Sequence, residues 1–175
     1  MDRFTDAACT ILLDEFLPKI TLSLAPLSDA DTWWRPAESS NSIANLLLHL
    51  EGNARQWILS GVRGDPDVRD RDAEFAARAG PGKEALVARF RDTLIEIERV
   101  LAGIPADRFD EPRRIQGSDT TIFGAMFRLT THVAVHTGQI IQLAKWRAPG
   151  VVRHYEASST SFTPLWQPTP RPPLP

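Results

Sequence analysis

Apolar residues recur at helical spacing in four stretches of the chain, a pattern that predicts four helices. The first runs from about Thr5 to Leu24, and the second begins near Asn41 or Ser42 and ends near Gly61 or Gly64. The third covers about Lys83 to Ala102, and the fourth about Asp119 to Trp146. No segment alternates apolar and polar residues over a useful length, so we predict an all-α protein.

The connections between these stretches are long, especially the segment VRGDPDVRDRDAEFAARAGPG between the second and third helices. Four helices joined in this way predict a four-helix bundle with long crossover connections, in which neighbouring helices can run parallel. The pattern changes after Gly150, where TPLWQPTPRPPLP is rich in proline. We therefore predict a bundle over residues 1–150 and an extended or disordered tail over residues 151–175.

Composition excludes several classes of protein. No apolar run approaches the roughly 18 residues that span a bilayer, so no membrane partner is expected. The net charge is −2 and no basic stripe occurs, which argues against nucleic-acid binding. Cys9 is the only cysteine, so no internal disulfide can form. The start of the chain lacks the features of a signal peptide, and a cytoplasmic location is expected.

Three of the four histidines could meet in such a bundle. His132 and His136 are four residues apart on the fourth predicted helix, which places both on one face. His49 lies on the second predicted helix, beside its apolar stripe. Three neutral imidazoles can hold a divalent ion and leave coordination positions open, as in catalytic sites. The same spacing also fits ordinary hydrogen-bonded histidines of a helix bundle, and the residues alone leave both interpretations open.

Other candidate residues carry weaker signals. Gln139 lies one turn beyond His136 and is either a contact of the site or an ordinary solvent-facing residue. Cys9 is expected to be a buried, inert thiol, because no basic residue adjoins it. His154 lies outside the predicted helices and is expected at the surface.

The motifs resemble those of the DinB-like (YfiT-like) superfamily of metal-binding four-helix bundles, and most closely an uncharacterised bacterial branch. The resemblance is carried by WWRPAESSNSIANLLLHLEGNARQW, RDRDAEF and THVAVHTGQIIQLAK, which together cover most of residues 33–145. It implies that His49, His132 and His136 are metal ligands, that zinc or nickel is the metal, and that the chain forms a homodimer. The run from Arg69 to Asp72 matches a family pattern without an assigned role, and a salt-bridge cluster in the loop is the favoured interpretation.

Characterised relatives in the superfamily imply a thiol-dependent transferase or isomerase that uses bacillithiol, mycothiol or glutathione. In this hypothesis the ion binds a small thiol and lowers its pKa, and the thiolate attacks an electrophilic second substrate. A metal-dependent hydrolase is a second hypothesis, ranked lower because no carboxylate lies on the predicted site faces to act as a general base. A third hypothesis is a non-catalytic, stress-linked bundle that binds a metal or another ligand.

Overall fold

The computed structural model describes residues 3–158 and 160–174 and is mostly helical, which is compatible with the predicted all-α bundle. The described α-helices are α1 (Arg3–Ile11), α2 (Leu17–Leu24), α3 (Asp29–Trp33), α4 (Ile43–Ala54), α5 (Arg71–Ala76), α6 (Lys83–Ala102) and α7 (Ile122–Arg147), and a short 3₁₀ helix covers Ala106–Arg108. Two π-helical segments, Leu12–Phe16 and Arg55–Arg63, continue α1 into α2 and extend α4. The four long helical stretches therefore cover the four predicted helices, within a few residues at the ends. Among the described residues, no helix is both long and apolar enough to cross a membrane.

One hydrophobic core joins these helices. It is formed by leucine, isoleucine and other apolar side chains from every long helical stretch, including Leu13, Ile20, Leu50, Phe90 and Ile140. Helix α4 packs against both α6 and α7, and α7 also packs against α2. The contact between α4 and α7 positions the candidate site, because it brings the second and fourth predicted helices side by side.

The connections contain structure that the apolar pattern did not predict. The loop expected after the first helix contains α3, which begins with a capping box between Ser28 and Asp31. The fourth helix begins at Ile122 rather than Asp119, because strands β1 (Pro112–Ile115) and β2 (Ser118–Thr121) form an antiparallel hairpin before it. The Thr121 side chain accepts a hydrogen bond from the Gly124 N–H and so caps α7.

The tail lies along the first helical stretch. Strands β3 (Tyr155–Ala157) and β4 (Phe162–Pro164) form a second hairpin within it. His154 is buried rather than at the surface, and its Nε2 atom lies 2.9 Å from Ser23 Oγ on α2. Farther along, Arg171 forms an ion pair with Asp14 and a second one with Glu98 on α6. The domain boundary near residue 150 stays a prediction.

Two backbone carbonyls that precede Pro18 accept hydrogen bonds from the tail. Proline has no N–H, so Pro18 cannot donate to the Asp14 carbonyl four residues earlier. In the π-helical segment the Leu17 N–H bonds to the Leu12 carbonyl, which leaves the Leu13 carbonyl without that donor. The Trp166 Nε1–H donates to the Asp14 carbonyl at 2.8 Å, and the Thr169 hydroxyl donates to the Leu13 carbonyl.

Candidate metal centre

The three predicted histidines lie together where α4 meets α7. His49 projects from α4, and His132 and His136 project from successive turns of α7. The ring centroids of His132 and His136 are 4.4 Å apart, and each lies 5.0 Å from the centroid of His49. One ring nitrogen from each residue lies within 4.8 Å of the other two. The structure thus brings all three residues together, while their role as metal ligands stays a prediction.

The spacing of the ring nitrogens suits a divalent ion. His49 Nε2 and His132 Nε2 are 2.9 Å apart. Two imidazole nitrogens bound to zinc at the tetrahedral angle lie about 3.4 Å apart, since each Zn–N bond is about 2.0–2.1 Å long. The separation of 2.9 Å is somewhat shorter than this value, and all three ligand atoms lie within 4.8 Å of one another. Within the described part of the chain, no fourth histidine, cysteine, aspartate or glutamate joins the group.

The surroundings of His132 and His136 favour neutral imidazoles. Burial is the main cause that lowers the pKa of His132 to about 4, and the positive charges of neighbouring side chains contribute the rest, namely those of His136, His49, Arg128 and Arg69. The pKa of His136 is also lowered, again chiefly by burial, although the hydrogen bond to Gln139 opposes the shift. A metal-binding imidazole must be neutral, so these rings have their lone pairs available at neutral pH.

A carboxylate that the sequence analysis missed lies against His49. Glu74 belongs to α5, and its Oε2 atom is 3.1 Å from His49 Nδ1. The Arg69 guanidinium donates to both oxygens of Glu74 at 2.7 Å, and its Nη2 atom also lies 3.0 Å from His49 Nδ1. Burial alone would raise the pKa of Glu74, but hydrogen bonds from Arg69 and His49 outweigh it and lower the pKa.

Asn45 attaches the segment that carries Glu74 to the start of α4. Its side-chain nitrogen donates to the Glu74 and Ala77 carbonyls, at 2.8 and 3.0 Å. Its side-chain oxygen completes the capping box with Ser42. Asn45 precedes His49 by one helical turn, so a residue of the capping box also fixes the segment facing the histidine.

The run from Arg69 to Asp72 has several roles. Arg69 pairs with Glu74, outside the run, and Asp70 caps α5 through the Ala73 N–H. The guanidinium of Arg71 lies 4.9 Å from the ring of Phe75, whose own ring is 4.7 Å from that of His49. Among the described residues, the expected salt bridge is formed by Arg69 alone of the four, and its partner is the glutamate beside the site.

Gln139 connects the cluster to an uncharged cleft. Its Oε1 atom lies 2.6 Å from His136 Nδ1. Of the two alternatives given by the sequence, Gln139 is therefore a contact of the site. The cleft has a volume of about 340 Å³, and none of its lining residues is ionisable. Its walls are Pro36, Ser39, Ser40, Asn41, Leu46, Gln139, Gln142, Leu143 and Trp146.

Cys9 is far less reactive than an ordinary thiol. It is 2% exposed, and burial followed by the nearby charge of Glu98 raises its pKa to about 12. The thiol therefore stays protonated at neutral pH, as expected for a buried structural cysteine.

Comparison with known proteins shows that the chain matches a protein family whose function is unknown. The sequence profile of a family described as a protein of unknown function (DUF1572) matches residues 13–150. This range contains all three histidines together with Arg69 and Glu74. No curated protein matches the chain.

Proposed function

The chain belongs to the DUF1572 family, and from this premise we propose that it is a DinB-like, metal-dependent enzyme that transfers a small thiol to an electrophilic substrate. The proposal includes the four-helix bundle topology of that superfamily, with long crossover connections. It also includes a homodimer and a cytoplasmic location. The motifs that resemble the superfamily support it, and all of them lie inside the matched range.

The observation that carries the proposal is the convergence of three imidazoles. His49, His132 and His136 direct ring nitrogens into one small volume. The Nδ1 atoms of His49 and His136 face the acceptors Glu74 and Gln139, so Nδ1–H tautomers leave the lone pairs of the other ring nitrogens directed into the cluster. A divalent cation resolves this excess of acceptors. With three protein ligands, such an ion keeps positions for a substrate, which distinguishes catalytic from structural zinc sites. Zinc and nickel are the proposed metals, since both accept imidazole ligands.

When bound, such an ion lowers the pKa of a coordinated thiol so that thiolate is present near neutral pH. The histidines bind the ion, and their burial limits the access of water to it. Cys9 cannot supply the thiolate, because its pKa of about 12 keeps it protonated and its side chain is buried. We therefore assign the thiol to a co-substrate of the bacillithiol, mycothiol or glutathione type.

The reaction is a substitution at carbon. The thiol sulfur forms a bond to the electrophilic carbon, the leaving group departs with the electrons of the broken bond, and the thiol proton passes to solvent. The uncharged cleft beside Gln139 suits the second substrate, because Gln139 also contacts His136. Its serine, asparagine and glutamine side chains can bind polar groups, and Trp146 offers an aromatic wall.

Glu74 does not supply the general base that a metal-dependent hydrolase would need. Arg69 donates to both oxygens of that carboxylate, and the remaining contact is with His49. A base must reach the proton that it removes, so a carboxylate held in this way is poorly suited to activate water.

The first experiment measures the metal content of purified protein that carries no histidine tag. About one zinc or nickel ion per chain is expected, and His132→Ala should lose it. Gln142→Ala is the matched control, because this residue is exposed on the same helix and lies outside the cluster. Metal-loaded protein should then conjugate a small thiol to a model electrophile, such as a chlorodinitrobenzene, faster than metal-free protein does.

Two results would reject parts of this proposal. If the protein neither contains metal nor takes up zinc or nickel on titration, the histidines are ordinary bundle residues. If it binds metal but the metal does not accelerate any thiol transfer, the non-catalytic metal-binding hypothesis replaces the enzyme.

A further inference from the structure

His49 has two partners at one ring nitrogen, and they favour opposite proton positions. Glu74 Oε2 can only accept from Nδ1, and Arg69 can only donate to it. If Nδ1 carries the proton, it donates to Glu74 and leaves the Nε2 lone pair facing His132. If Nε2 carries the proton, Nδ1 accepts from Arg69 and the lone pair is turned away from the cluster. Only the first tautomer offers Nε2 to a metal ion.

Three of the five N–H donors of Arg69 already have other acceptors, which weakens its competition with Glu74 for Nδ1. Its Nε and Nη2 atoms donate to the two oxygens of Glu74, and its Nη1 atom donates to Gln56. Ionised Glu74 has no donor of its own and gains a further hydrogen bond from Nδ1–H. The hydrogen bonds therefore favour the tautomer with the proton on Nδ1.

Gly52 provides the space for this arrangement. A Cβ atom at Gly52 would lie 2.0 Å from Glu74 Oε1 and 3.1 Å from Arg69 Nε. Both charged side chains are largely buried, with exposed fractions of 4% for Arg69 and 10% for Glu74. The close approach of the pair to the α4 backbone requires a residue without a side chain at this position.

We propose that Glu74, held by Arg69 against Gly52, is a positioning residue that fixes His49 with Nδ1 protonated and Nε2 directed into the cluster. This inference rests on the proposed function, since it assigns the ion pair to the metal centre. A buried ion pair contributes little net stability, because its desolvation offsets its attraction. A carboxylate that accepts from the remote nitrogen of a metal-binding histidine instead strengthens metal binding, by about 10- to 100-fold.

The test compares three variants with the wild-type protein. Glu74→Gln removes the charge, and Gly52→Ala displaces the carboxylate without removing a charge. Glu51→Gln is the matched control, because Glu51 is also on α4 and forms an ion pair, with Arg89, away from the cluster. Zinc affinity should fall about 10- to 100-fold in the first two variants and stay unchanged in the control.

The second readout is nitrogen NMR of the His49 ring in metal-free protein. Wild-type protein should carry the proton on Nδ1, and Glu74→Gln should shift the population toward protonated Nε2. A purely structural ion pair would leave this equilibrium unchanged. Circular dichroism establishes that each variant is folded, and the wild-type spectrum alone tests the tautomer if a variant does not fold.

The outcomes separate this inference from the proposed function. If the wild-type protein binds zinc and Glu74→Gln binds it equally well, the inference is wrong and the metal site stands. If the wild-type protein binds neither zinc nor nickel, the proposed function is wrong, and protonated Nδ1 in the NMR spectrum still supports the role of Glu74. Protonated Nε2 in the wild-type protein would overturn the inference in either case.

Discussion

The histidine cluster and the C-terminal tail both rely on polar groups whose partners lie far away along the chain, but they differ in how completely those groups are paired. In the tail, donors meet acceptors on the helices. Trp166 and Thr169 donate to the carbonyls of Asp14 and Leu13, and Arg171 pairs with Asp14 and Glu98. In the cluster, three imidazoles present ring nitrogens to one another.

This difference separates a stabilising contact from a binding site. A paired donor and acceptor lower the free energy of the folded state and leave nothing for a ligand to satisfy. Converging acceptors cost free energy until a cation binds between them. We therefore expect changes in the tail to alter stability without altering metal binding, and changes in the cluster to do the reverse.

The largest expected effect is on metal binding. His136→Ala removes one of three ligands, so zinc affinity should fall by more than about 100-fold, beyond the range found for outer contacts of a site. The free energy of unfolding of the metal-free protein should change by less than about 1 kcal/mol, because the ring is only half-buried. Isothermal titration and urea unfolding measure the two quantities. Equal losses in both would show that the cluster is a structural element like the tail.

Removal of the tail should give the opposite result. A chain that stops at Gly150 loses the ion pairs of Arg171, the donors to Leu13 and Asp14, and the buried side chains of Val152 and His154. Its free energy of unfolding should fall by about 3 kcal/mol or more. Zinc affinity, measured at a temperature where the shortened chain is folded, should stay within about twofold of the full chain. A large loss of affinity would contradict the separation of the two regions.

A smaller effect isolates one hydrogen bond of the tail. Trp166→Phe keeps an aromatic ring but removes the Nε1–H that donates to the Asp14 carbonyl. The free energy of unfolding should fall by about 1 kcal/mol, the usual net value of one hydrogen bond. Trp146→Phe is the matched control, because Trp146 is an exposed residue of α7 and should tolerate the change. If both variants unfold at the same urea concentration as the wild-type protein, the hydrogen bond from Trp166 to the Asp14 carbonyl does not stabilise the folded protein.

The long helices and the meeting of the histidines were predictable from the sequence. Apolar residues at helical spacing mark the buried face of each helix, and His49, His132 and His136 all lie at the edge of such a face. Two helices that share a core bring these edges together when they are neighbours. The structure confirms that α4 and α7 are neighbours and that their histidines meet.

The short elements were not predictable, because contacts distant in sequence determine them. The α3 region is tied to the loop before α6 by the Trp33 Nε1–H, which donates to the Pro81 carbonyl. Asn45 fixes the position of Glu74 from 29 residues away. The sequence shows RDRDAEF as a charged run, but no periodicity indicates which of its charges faces a histidine. The π-helical segments were not predicted either, because π-helical hydrogen bonding is rare and has no sequence signature comparable to the α-helical apolar spacing.

Pro18 also has a consequence for the order of events during synthesis. The donors that serve the carbonyls of Leu13 and Asp14 come from residues 156 and 152 positions later in the chain. At translation rates of about 5–20 residues per second, the first helix emerges from the ribosome about 8–30 s before Trp166 does. Until then the carbonyls of Leu13 and Asp14 lack these two donors from the tail. The hydrogen bonds that complete the first helical stretch therefore form late, when Trp166 and Thr169 pack against it.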